Sequence, residues 1–83
     1  MANMIYTSKR GKKIVFDDYH DDTKEYGVYW VEMCPHCINK YRGILGNRVD
    51  DDASAWGTCS VKGCGNFADY YVDFDMNEVT FIE

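Results

Sequence analysis

No stretch of this 83-residue chain is apolar for long enough to cross a membrane. Nor does Met1 lead into an export signal, because no apolar segment follows Lys9, Arg10, Lys12 and Lys13. A cytoplasmic setting is therefore expected, one that keeps thiols reduced. Basic residues are scarce beyond that cluster: from Ile14 to Glu83 five of them stand against 14 acidic residues, a balance of −9, within a net charge of −5 for the whole chain. That sign repels nucleic-acid phosphates and suits a basic protein partner. Repeats, low-complexity tracts and linkers are missing, so one domain over residues 1–83 is expected. The signatures of phosphate loops, nucleophile elbows and metalloprotease helices are missing too. The run from Asp73 to Glu78 opens like a calcium loop, but Glu78 stands where that loop needs Gly.

The chain does contain enough to fold. Hydrophobic residues make up 46% and aromatics 16%, which excludes a disordered tail. Residues 4–17 read as a hairpin, with Gly11 in its turn. Asp17 to Gly27 reads as a polar loop with a tip at Asp21, Asp22 and Thr23. The β-branched and aromatic run from Gly27 to Met33 predicts a strand. Ile38, Tyr41, Ile44 and Leu45 form a short helical stripe that Gly46-Asn47 ends. Asp50-Asp51-Asp52 predicts a loop. Phe67 to Phe74 alternates as one strand, with Ala68, Tyr70, Val72 and Phe74 on one face, and Val79 to Ile82 predicts the last strand. The expected class is α+β, mostly antiparallel β with one short helix.

Four cysteines dominate the chemistry. Cys34 and Cys37 form C-x-x-C, and Cys59 and Cys64 form C-x-x-x-x-C after 21 intervening residues. Each pair fits one tight turn, and two such turns can close a tetrahedral thiolate cage. Four sulfurs point to one Zn²⁺ first and to iron second. Gly63 and Gly65 flank Cys64 and are expected to aim N–H groups at its sulfur. Two disulfides are the competing arrangement; the spacing and the missing export signal favour metal. His36 lies inside the first turn and points away, whereas His20 falls in the acidic loop as a solvated side chain. Four thiolates complete a structural site, leaving no position for a metal-activated water, so no catalytic residue is assigned. In a chain this small, a bound metal contributes much of the folding free energy.

This cysteine pattern resembles the zinc-ribbon and treble-clef group over roughly residues 28–74, which implies a structural zinc and leaves many functions open. Cys34-Pro35-His36-Cys37 is also similar to a thioredoxin-family redox motif. That family implies a second, cis proline beside the active site, but Pro35 is the only proline here. A redox pair would also leave Cys59 and Cys64 without a role.

Acids fall in three clusters, Asp17, Asp18, Asp21, Asp22 and Glu25, then Asp50, Asp51 and Asp52, then Asp69, Asp73, Asp75 and Glu78, and the aspartates are candidates for meeting a basic partner. Tyr19, Tyr26, Trp56, Tyr70 and Tyr71 lie among or near them as possible anchors. Size, acidity and the four cysteines together are similar to small acidic phage-encoded anti-CRISPR proteins. The resemblance implies a non-enzymatic inhibitor in a bacterial host cytoplasm. It would dock on a type II RNA-guided nuclease, whose heteroduplex channel is basic, and block DNA loading or cleavage. The alternative is a nucleic-acid-binding zinc ribbon that uses the basic Lys9–Lys13 hairpin.

Overall fold

The computed structural model describes residues 3–50 and 57–82, with the side chain of Asp50 left aside. The expected hairpin is present. β1 (Asn3–Thr7) pairs antiparallel with β2 (Lys13–Phe16), with Met4 opposite Phe16 and Tyr6 opposite Ile14. Its turn closes when the Ser8 N–H donates to the Lys12 carbonyl, and Gly11 takes a φ of 81° there.

The next segment departs from the expected loop. His20–Asp22 forms β3 and Thr23–Tyr26 forms a one-turn helix, α1. The Asp21 carboxylate accepts from both the backbone N–H and the hydroxyl of Thr23, and this starts the turn locally. β4 (Val28–Met33) follows, and then α2 (Pro35–Leu45). α2 begins three residues earlier than its apolar stripe because Pro35 sits in its first turn and the Cys34 sulfur caps it. It ends at Gly46, with φ 62°. Ile38 and Leu45 are buried from this helix, while Tyr41 and Ile44 are half-buried against the core.

After a 3₁₀ turn at Gly46–Arg48, Val49–Asp50 forms β5, so Asp50 enters a strand where a loop was expected. Asp51 and Asp52 lie outside the described residues. β6 (Gly57–Thr58) and β7 (Phe67–Ala68) pair around the second cysteine loop. β8 (Tyr70–Asp75) and β9 (Val79–Ile82) complete the chain. The strand expected over Phe67 to Phe74 is thus divided at Asp69. On one side it pairs with β6, on the other with β4.

The two larger sheets run β2-β1-β9 and β3-β4-β8-β5, with antiparallel pairing throughout. Their apolar faces supply the core. Met4, Ile14 and Phe16 come from the first sheet and Val31, Met33, Val72 and Phe74 from the second, all but lost to solvent. Ring contacts of Phe74 with Tyr6 (4.7 Å) and Phe16 (5.4 Å) tie the sheets together. Burial of Ala68, Val72 and Phe74 follows the predicted alternation, with Asp69 and Asp73 exposed. Arg48 lies across the end of this core. Its guanidinium stands 4.9 Å from the Tyr6 ring centroid and 5.3 Å from that of Phe74, and donates two hydrogen bonds to Glu78 (2.9 and 2.8 Å). Among the described residues, no helix is long and apolar enough to cross a membrane.

Candidate metal centre

The two cysteine pairs rest on unlike supports. Cys34 leaves the end of β4 and caps α2: its sulfur accepts from the Cys37 N–H at 3.4 Å. One helical turn then carries Cys37 round to the same side. Cys59 and Cys64 sit instead on the loop between β6 and β7. Within it the Cys64 N–H donates to the Val61 carbonyl (3.0 Å), and Gly63 takes a φ of 82°. That turn needs a residue free to adopt positive φ, which explains Gly63 and the wider spacing of the second pair.

Backbone hydrogen bonds hold this loop between the two large sheets. The Asp17 N–H donates to Ser60 O (3.0 Å) and the Lys62 N–H to Val15 O (2.9 Å), which binds the loop to the edge of β2. On the other side the Ser60 N–H donates to Glu32 O (2.7 Å), and the Glu32 N–H donates to Ser60 Oγ (3.2 Å). Ser60 is 2% exposed and is the residue through which the loop meets β4. No sequence signal marked it, because a serine in a glycine-rich turn reads as solvated.

The result gathers all four sulfurs within 4.8 Å of one another. Cys34, Cys37 and Cys59 are buried, Cys64 is half-buried, and none is oxidised to a disulfide. Cys64 Sγ lies 3.8 Å from Cys34 Sγ and 3.7 Å from Cys37 Sγ. A disulfide needs about 2.05 Å between sulfurs, whereas a tetrahedron of ~2.3 Å metal–sulfur bonds has edges of about 3.8 Å. The spacing fits four ligands around one ion.

Without a cation, burial and mutual proximity keep Cys37 and Cys59 as neutral thiols. Burial raises the Cys34 thiol, but hydrogen bonds from Cys37, Cys64 and Asn66 outweigh it and bring the group down to about 7. Burial pushes Cys59 up to about 11 and drives Cys37 upward as well. Sulfurs this close cannot all carry charge unless a cation stands among them. Among the described residues, N–H groups that reach sulfur include those of Cys34, Cys37, Val61 and the Asn66 side chain. Gly63 shapes the turn, and Asn66 is a contributor that sequence reading missed.

The remaining sequence candidates scatter. His36 is exposed, as expected. His20 is not a loosely solvated loop residue: its ring stacks on Trp30 (centroids 3.7 Å, planes 11° apart), and Nε2 lies 3.3 Å from Glu32 Oε1. Asp17 and Asp18 are exposed between β2 and β3, and Asp18 Oδ1 accepts the Tyr19 N–H. Asp21 is held below the usual carboxylate range, first by the Thr23 hydroxyl. Asp69 is exposed between β7 and β8, and Asp75 accepts the Asn77 N–H in the last turn. Asp22 and Asp73 face the same side of the second sheet, either side of Trp30. Trp56 lies outside the described residues.

No protein-family model, no curated protein and no solved structure matches the chain.

Proposed function

We propose that this protein is a non-enzymatic binding module in which Cys34, Cys37, Cys59 and Cys64 hold one structural Zn²⁺ and the acidic surface meets a basic protein. The observation that carries the reading is the convergence of four mostly buried sulfurs at spacings suited to one ion. Zinc is favoured because it accepts four thiolates tetrahedrally with no redox demand. When bound, it supplies charge neutralisation and a cross-link between β4, α2 and the β6–β7 loop. Four thiolates leave no open coordination position, which supports a structural role over a hydrolytic one. Sharing among four sulfurs likewise speaks against Cys34 and Cys37 working as an isolated redox pair.

The partner class rests on charge and on the resemblance to small acidic anti-CRISPR proteins. A type II CRISPR nuclease offers a basic channel of the complementary sign. Native mass measurement with elemental analysis tests the metal: one zinc per chain is expected. Co-elution with a purified type II nuclease at low salt, with reduced target cleavage, tests the partner; no complex removes that partner.

A second reading has one observation in its favour. A cavity of about 720 Å³ is lined by Lys9, Arg10 and Lys12 of the hairpin turn, beside the paired Arg48 and Glu78. Replacing Lys9, Arg10, Lys12 and Lys13 with Ala would weaken nucleic-acid binding and flatten its salt dependence if this reading holds.

A further inference from the structure

The outer face of the β3-β4-β8 sheet carries a cavity of about 550 Å³ lined by Asp22, Tyr26, Val28, Trp30, Tyr71 and Asp73. Strand register places them together. On β4, Val28 and Trp30 project to the same face. Asp22 stands opposite Val28, while His20 and Asp73 flank Trp30. The Trp30 ring is held on three sides: His20 stacks on it, its Nε1–H donates to Asp22 Oδ2 at 2.8 Å, and Tyr71 meets it edge-on at 5.1 Å. Tyr26 on α1 is 72% exposed at the rim. An aromatic platform fixed in advance loses little entropy on binding.

We propose that this cavity receives an arginine side chain of a basic protein partner, with the guanidinium against the Trp30, Tyr26 and Tyr71 rings and within reach of the Asp22 and Asp73 carboxylates. Charge complementarity names the occupant. Rings attract a cation through their faces, and carboxylates at the rim add charge-assisted hydrogen bonds. Arginine fits better than lysine because its planar group stacks on rings and bonds carboxylates with two donors at once. Arg48 is not among the residues that line this cavity; its guanidinium donates to the Asp73 carbonyl (3.2 Å) and twice to Glu78. Sequence reading counted Tyr26 and Tyr71 among possible anchors. It placed Trp30 in a strand and His20 in a loop, so the platform was invisible.

This inference rests on the basic-partner reading, and its test separates the two. A blocked Gly-Arg-Gly-Arg-Gly peptide is titrated into the metal-loaded protein while the Trp30 indole N–H resonance is followed, assigned by its loss in Trp30→Phe. A saturable shift at millimolar peptide is expected, several-fold weaker with lysine in place of arginine and none with neutral citrulline. Tyr26→Ala, a change at an exposed ring that spares the core, should weaken binding several-fold, and Asp22→Asn with Asp73→Asn by about tenfold. No shift, or an equal shift with citrulline, overturns the proposal. So does a shift with oligo-dT and none with arginine, which marks a base-stacking surface. Peptide binding without nuclease co-elution supports this site and removes that partner. Nuclease co-elution unchanged by Tyr26→Ala and the two Asn changes keeps the partner and overturns the site.

Discussion

The two ends of the molecule are held by different physics. Where the sheets face each other, stability is spread over area: Met4, Phe16, Val31, Met33, Val72 and Phe74 are all completely buried, and each contributes a share. At the cysteine end, the proposed metal would concentrate stability at a point. The β6–β7 loop sends Cys59 and Val61 into the core and is otherwise held by backbone hydrogen bonds, Ser60 and the gathered sulfurs. An 83-residue chain split into two larger sheets and a hairpin has limited area to bury, so a point cross-link matters more than it would in a larger domain. The area-held end should fail gradually under substitution and the point-held end all at once.

The largest expected effect is therefore loss of the metal. Structural zinc contributes on the order of 10–16 kcal/mol in small zinc-folded peptides. Chelation, or Cys59→Ala, should abolish the cooperative thermal transition seen by circular dichroism; a metal-free chain melting as the loaded one does would erase the contrast between the ends. In the apolar core, Phe74→Ala should cost about 3–5 kcal/mol, read from denaturant midpoints, while one metal per chain is retained. Ser60→Ala lies at the join. It removes the acceptor of the Glu32 N–H and should cost about 1–3 kcal/mol. If Ser60→Ala also weakens metal affinity, as competition with a chromophoric chelator would show, the loop's seating and the site are one unit.

The smallest effect belongs to Arg48 and Glu78. Hydrogen bonding from Arg48 outweighs burial and holds Glu78 below the ordinary glutamate value. A depressed folded value means that the contribution is complete above the unfolded pKa and fades as pH falls through the folded one. Glu78→Gln should thus cost under about 1 kcal/mol near neutrality, and the difference should vanish in acid. A difference that persists under acid would mean that the fit of the Glu78 side chain, which also accepts the Asp75 N–H, rather than its charge holds that corner.

The β1–β2 hairpin, β4, the body of α2 and the two cysteine pairs were legible in the residues because each depends on neighbours a few positions away: alternation, a Gly at positive φ, a helical apolar stripe, cysteines spaced for one turn. The pairing of β9 with β1 and of β8 with β4 was not. Nor were the strand at His20–Asp22, the break at Asp69, the seat of the cysteine loop between β2 and β4, or the platform around Trp30. Those depend on which distant apolar faces bury each other. Loop closure costs only slowly more with length, so chain separation says little about which strands meet. The cysteine spacing alone announced a candidate four-sulfur metal site. Packing of the two sheets set where that site lies, and which aromatic and acidic side chains came to share a face.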